Sequence, residues 1–202
     1  MYNWRSMTPE QHEYVLRLRQ VGHRPWHSPP HNPQGDRTRF HVFAACYEHA
    51  PVVGHSRERM ASFESVLLDS LVPRCSEIHA WCLLPNHYHV LVTTVDVDAV
   101  RAGLGRLHGR TSYQWNGEES KRGRKVWFNA LEHGIKSDRH FWAALNYIHH
   151  NPVHHRYTTR WQDWPFSSAA AYLDRVGVTE AERTWKEYPI LDYGRDWDPE
   201  DL

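Results

Sequence analysis

Residues 77–94, EIHAWCLLPNHYHVLVTT, constrain this chain more than any other stretch. Two apolar runs flank Pro85-Asn86, a turn signal, so the segment reads as a hairpin of strands 77–84 and 87–94 at the centre of a sheet. Side chains alternate along a strand, which places His87 and His89 on one face. Two imidazoles so placed can bind one divalent ion and leave positions for a third protein ligand and for substrate oxygens. A bare HxH pair more often marks ordinary half-buried histidines, since short motifs carry a high false-positive risk. Here the pair lies inside an otherwise strongly apolar hairpin, where buried polar groups require partners.

The flanking segments supply the rest of a sheet. Residues 40–47 (FHVFAACY) read as a strand, and 56–72 as an amphipathic helix starting at Ser56 and closed by Pro73. Residues 97–115 form a second helix with Val100, Leu104 and Leu107 in its stripe, and 126–135 a fourth strand. Ser137 caps a third helix that Pro152 ends or bends, and another helix starts at Ser167 or Ser168. The order β-α-β-β-α-β followed by a helix predicts an α+β, ferredoxin-like antiparallel sheet with helices packed on one face. Many functions use that fold, so it does not decide the activity.

Three regions are expected: a short helix over 8–20 and a Pro-rich arm in 1–37, a main domain over 38–175, and an acidic tail over 176–202. The three cysteines, Cys46, Cys75 and Cys82, form no CxxC pair, which argues against a disulfide framework or thiolate zinc site. With no apolar run of membrane-spanning length and no signal-peptide core at the N-terminus, the expected setting is a reducing cytoplasm.

In the third helix, Phe141, Leu145 and Ile148 make an apolar stripe and Tyr147 lies off it. Asn151 follows four residues later, one turn along the same face, and Ala143 one turn before leaves the phenol uncrowded. If this face covers the HxH pair, Asn151 completes a His-His-Asn site and Tyr147 reaches a phosphate held by the ion. The plain alternative is a packing tyrosine with its hydroxyl hydrogen-bonded.

Taken in order and spacing, LLPNHYHVLV, YIHHNPV and WQDWPFSSAAAYL closely resemble the REP-associated tyrosine transposases, within the wider group of single-tyrosine HUH transposases. The similarity spans roughly residues 38–175, and WHSPPH near the start resembles an extension found in part of the family. The resemblance implies a ferredoxin-like fold with the HUH pair on a central strand and a nucleophilic tyrosine on a following helix. By position it makes Tyr147 the nucleophile, His87 and His89 metal ligands, and Asn151 the third ligand, where wider relatives carry glutamine. His150 stands as an alternative third ligand. The implied cofactor is Mg²⁺ or Mn²⁺, and the implied partner is single-stranded DNA beside a palindromic hairpin. The product of cleavage is then a 5′-phosphotyrosine, made by a monomer or a homodimer.

The net charge of zero hides a basic region. Residues 101–125 hold seven cations (Arg101, Arg106, Arg110, Lys121, Arg122, Arg124 and Lys125) against Glu118 and Glu119, with Tyr113 and Trp115 interleaved and Trp127 just beyond. Cations track phosphates and aromatics stack on splayed bases, so these residues, extended by Arg37, Arg39, Lys136 and Arg139, form the expected DNA surface. A solvated helix face would give the same charge pattern. Two other functional classes fit part of these observations. One is a ferredoxin-like nucleic-acid-binding module without catalysis. The other is a metal-dependent phosphodiester hydrolase that uses HxH without a covalent tyrosine.

Overall fold

The computed structural model describes Thr8, residues 38–191, Tyr193 and Gly194. The expected helix over 8–20, the Pro-rich arm and Arg37 lie outside the described residues.

Four strands form one antiparallel sheet: β1 (Arg39–Ala45), β2 (Glu77–Leu83), β3 (His87–Thr93) and β4 (Leu131–Gly134), in the order β2-β3-β1-β4. Helix α1 (Arg57–Leu71) links β1 to β2, and α2 (Val97–Glu118) links β3 to β4. This is the ferredoxin-like arrangement. The tyrosine helix α3 (Asp138–His154) follows, then two short helices, α4 (Ala169–Val176) and α5 (Val178–Glu187). Helix starts obey local capping chemistry: Ser56, Asp96 and Ser137 each accept from the backbone N–H three residues on.

The helices occupy both faces of the sheet rather than one. Phe40, Val42, Ala44, Tyr88, Val90 and Val92 point to one side and pack in a single apolar cluster with Met60, Phe63 and Leu67 of α1 and Val100, Leu104 and Leu107 of α2. Alternation sends Ala80, Cys82 and Leu91 to the other side, where they meet Phe141, Leu145 and Ile148 of α3. The physical reason is that β3 is buried along its whole length up to Val92, so both of its faces need an apolar cover.

Three further expectations change. The fourth strand shrinks to Leu131–Gly134, because Val126 to Phe128 instead bonds the end of β1 (Tyr47 N–H to Val126 O, 2.7 Å; Phe128 N–H to Ala45 O, 2.9 Å). Helix α3 runs through Pro152 to His154. In the last turn the missing N–H costs one helical bond only, and His155 N–H still reaches Asn151 O at 3.0 Å. Residues 178–187, read as part of a tail, form a helix whose Ala181 is buried against the α3 layer. The outer edge of β2 is covered by residues 166–168, through Leu83 N–H to Phe166 O (2.8 Å) and Ser168 N–H to Trp81 O (3.0 Å). Such cover removes an open pairing edge.

Two buried histidines, His149 and His108, make the fold sensitive to acid. His149 lies 2.9 Å from Ser168 Oγ, His108 lies 3.1 Å from the Tyr88 hydroxyl, and burial pushes each ring down to about 3. The unfolded chain takes up these protons near pH ~6.5, the native one only near 3, so stability is lost as pH falls through that window. Between pH 6.5 and 4.5 each ring is expected to cost roughly 2–3 kcal/mol. Urea unfolding across that range checks this, and His149→Gln should flatten the slope by one ring's share.

Candidate metal and nucleophile site

The HxH strand and the tyrosine helix meet on the α3 face of the sheet. His87 and His89 are each 1% exposed, and their ring centroids stand 5.1 Å apart, so both project to the same side. Tyr147, Asn151 and His155 lie at i, i+4 and i+8 and form one polar stripe toward them. The Tyr147 ring sits 5.3 Å from His89, and Asn151 Oδ1 sits 3.0 Å from His87 Nε2. The His155 ring lies 4.9 Å from His87, beyond Asn151.

Polar neighbours fix both strand histidines. His87 Nδ1 is 2.7 Å from Asn86 Oδ1, and His89 Nδ1 is 3.0 Å from His41 Nε2. His41 in turn places Nδ1 2.7 Å from the Tyr193 hydroxyl. With Nδ1 engaged outside the site, each Nε2 is the nitrogen left for the site itself. Outer partners of this kind orient ligand imidazoles.

The donor set fits a divalent ion. Among the described residues no group of three or more His, Cys, Asp or Glu can hold one, so an ion here needs an amide as third protein ligand. Asn151 supplies it. Adjacent ligands on a roughly octahedral ion with bonds of ~2.1 Å stand about 3 Å apart, and His87 Nε2 and Asn151 Oδ1 are 3.0 Å apart. His87 also stands between two amide oxygens, at 2.7 and 3.0 Å, although a neutral imidazole carries a single N–H. A cation between Nε2 and Asn151 Oδ1 relieves that mismatch. Asn151 is wholly buried, and its Nδ2 has no hydrogen-bond partner, which points to a group that the site receives from outside. His150 is not near this cluster: its Nδ1 is 3.1 Å from Asn146 O and its ring packs on Trp161 and Trp185. The alternative of His150 as third ligand is therefore set aside, because its ring is engaged with Trp161 and Trp185 and its Nδ1 with the Asn146 carbonyl, away from His87 and His89.

Tyr147 is more enclosed than its helix position implied. It is 6% exposed, with the Tyr193 ring 5.5 Å away. Gly194 adopts a left-handed φ of 80°, and a Cβ there would overlap the Tyr147 ring. The crowding comes from the chain beyond α5, not from Ala143. Tyr193 and His41 are site residues that sequence reasoning missed. His41 shares its strand face with Phe43, and that face meets the pair only because β1 lies beside β3; Tyr193 gave no local signal. Burial pushes the Tyr193 phenol well above its ordinary range.

The basic residues divide. Arg101, Arg124 and Lys125 line one groove beside α2, while Arg106, Arg110 and Tyr113 are exposed on the same helix, Tyr113 72% so. Arg122 covers the Tyr113 ring at 4.2 Å. Arg101 pairs with Asp98 (2.9 Å) and Glu132 (3.2 Å), and Arg124 with Glu119 (2.8 Å). Arg39 pairs with Asp138 (2.8 Å), at the start of α3 beside the exposed Lys136 and Arg139 and away from that groove. Trp115 cannot stack on a base: it is 4% exposed and packs edge-on against Phe63 in the core, where its place on the inner side of α2 puts it. Among the described residues no helix is long and apolar enough to cross a membrane.

No protein-family profile matches the chain. A candidate REP-associated tyrosine transposase of Haemophilus influenzae is 33% identical over 102 residues, covering 46% of this chain and 58% of that protein. A REP-associated tyrosine transposase of Escherichia coli K12 is 29% identical over 92 residues, covering 46% of this chain and 53% of that protein. The chain thus matches little more than half the length of these curated relatives. A REP-associated tyrosine transposase solved bound to a REP hairpin shares the fold, with a TM-score of 0.57 over 73% of this chain and 86% of that one, at 19% identity.

Proposed function

We propose that this chain, related by sequence and fold to the REP-associated tyrosine transposases, is a metal-dependent single-stranded DNA endonuclease and strand transferase acting beside hairpin repeats. The observation that carries this reading is a convergence: the Tyr147 ring 5.3 Å from His89, on the helix whose Asn151 Oδ1 lies 3.0 Å from His87 Nε2.

His87, His89 and Asn151 would hold Mg²⁺ or Mn²⁺, which when bound supplies charge to polarise and orient a phosphate. Tyr147 then attacks phosphorus in line with its phenolic oxygen. The O–P bond forms as the bond from phosphorus to the 3′-oxygen breaks. The phenol gives up its proton and the departing oxygen takes one up, leaving a 5′-phosphotyrosine and a free 3′-hydroxyl. A second 3′-hydroxyl can reverse the exchange and join strands, because the covalent link conserves the phosphodiester. Tyrosine suits this role: its oxygen is a competent nucleophile and, with a pKa near ~10, a fair leaving group. His41 and Asn86 hold the two imidazoles in register throughout, and Tyr193 with Gly194 must move aside before a phosphate reaches Tyr147.

The test is one denaturing gel with the full chain, Mn²⁺ and end-labelled hairpin DNA carrying single-stranded flanks. The expected result is cleavage together with a slow, SDS-resistant, protease-sensitive band, both lost on adding EDTA. Cleavage without that band favours a hydrolase. A native-gel shift without cleavage favours a binding module.

A further inference from the structure

The turn that carries the first strand histidine is gripped by a distant piece of chain. Residues 46–55, between β1 and α1, wrap Pro85 and Asn86: Cys46 N–H donates to Asn86 O (2.6 Å) and Gly54 N–H to Pro85 O (2.8 Å). A Cβ at Gly54 would stand 2.4 Å from Pro85 Cβ, so only glycine permits so close an approach. Glu48 and His49 adopt left-handed φ values of 55° and 53°, a region that residues other than glycine seldom occupy. At this curl the His49 carbonyl accepts from Asn86 Nδ2 at 3.1 Å. Asn86 is 2% exposed, and the other end of its amide, Oδ1, lies 2.7 Å from His87 Nδ1.

A neutral His87 has one N–H and two oxygens that compete for it, Asn86 Oδ1 at 2.7 Å from Nδ1 and Asn151 Oδ1 at 3.0 Å from Nε2. With the proton on Nδ1, Nε2 offers its lone pair to an ion. With the proton on Nε2, that nitrogen donates to Asn151 Oδ1, and two donor atoms of the ion site bond each other instead. The hydrogen bond at one ring nitrogen thus decides the use of the other. Which state holds depends on how the Asn86 amide is turned. Turned over, it would set its oxygen against the His49 carbonyl and its NH₂ against His87 Nδ1, favouring the closed tautomer. The His49 carbonyl opposes that turn, because at 3.1 Å it needs a donor.

We propose that Asn86, locked by the loop 46–55, is a positioning residue that selects the His87 tautomer able to take an ion. This rests on the reading of His87 as a metal ligand, and it supplies what prepares that ring before any ion arrives. Strand alternation decides only which face the ring occupies. The loop decides which nitrogen is bare, from residues more than thirty positions earlier in the chain.

The experiment is long-range proton–nitrogen NMR on the metal-free full chain carrying ¹⁵N-histidine, with the His87 signals identified by their loss in His87→Gln. Wild-type protein should show a protonated Nδ1 and a bare Nε2. Asn86→Leu should move the proton to Nε2 and weaken Mn²⁺ binding roughly 10- to 100-fold. Asn86→Asp keeps an oxygen beside Nδ1 and should restore the wild-type tautomer, a rescue that mere filling of space would not give. Gly54→Ala leaves Asn86 in place but pushes the loop off Pro85, and should bring in the Nε2–H tautomer alongside the first. A ring that keeps its proton wholly on Nδ1 in whichever of Asn86→Leu and Gly54→Ala folds overturns the proposal, and so does a wild-type ring protonated on Nε2. Wild-type protein that binds no Mn²⁺ overturns the function reading, and the proposal with it.

Discussion

Replacing Tyr147 with phenylalanine is expected to eliminate the covalent protein–DNA adduct and to lower strand cleavage by about 10³-fold or more, while hairpin affinity stays within twofold of wild type. The substitution deletes one oxygen. The ring keeps its neighbours, His89 at 5.3 Å and Tyr193 at 5.5 Å, so α3 stays seated on the sheet. Loss of a nucleophile removes the chemical step rather than substrate binding, and single-nucleophile knockouts commonly cost several orders of magnitude. Single-turnover cleavage with saturating DNA isolates the step. A hydrolase using the same histidines would retain most of its rate in this variant.

The second large effect concerns the strand pair. His87→Ala and His89→Ala should each abolish Mn²⁺-dependent cleavage and weaken Mn²⁺ binding, followed by the electron paramagnetic resonance signal of free Mn²⁺, to beyond the measurable range. His41→Ala should do less, about 10- to 100-fold in affinity, since it acts through His89 Nδ1 at 3.0 Å. The order of effects separates ligand from support. If His41→Ala matched His89→Ala, His41 would be a ligand itself. If all three left Mn²⁺ binding unchanged, the His-His-Asn site would be wrong. A thermal melt of each variant guards against simple unfolding, because these side chains are almost fully buried.

Much of this architecture can be read from short-range rules. The hairpin over 77–94 follows from its apolar runs and the Pro85-Asn86 turn, and alternation alone puts His87 and His89 on one face. Ser56 and Ser137 mark helix starts because a capping hydroxyl is a local device. The Tyr147 and Asn151 spacing needs only the helical repeat. What escapes the sequence depends on which surfaces meet. His41 joins the site because β1 pairs with β3 in the register Phe43↔His89, a long-range fact that no spacing encodes. Helices on both faces follow from burial of β3, and the aromatic content of 126–128 suggested a strand where the chain bonds the end of β1 instead. Trp115 looked available for stacking because an aromatic among arginines reads alike whether it turns inward or outward. Tyr193 lay in a stretch judged by its acidic composition, which hid the Ile190 and Tyr193 side chains that pack on the α3 layer.

Two tyrosines therefore converge on the histidine cluster, and only one has the helical partner Asn151. Tyr193 bonds His41 at 2.7 Å and could in principle compete for the role assigned to Tyr147. The decisive measurement is mass spectrometry of the protease-digested protein–DNA adduct formed in Mn²⁺ with hairpin DNA. A nucleotide remnant on the peptide containing Tyr147, and on no other, is the predicted result. A remnant on Tyr193, or efficient cleavage with no DNA-linked peptide at all, would contradict it.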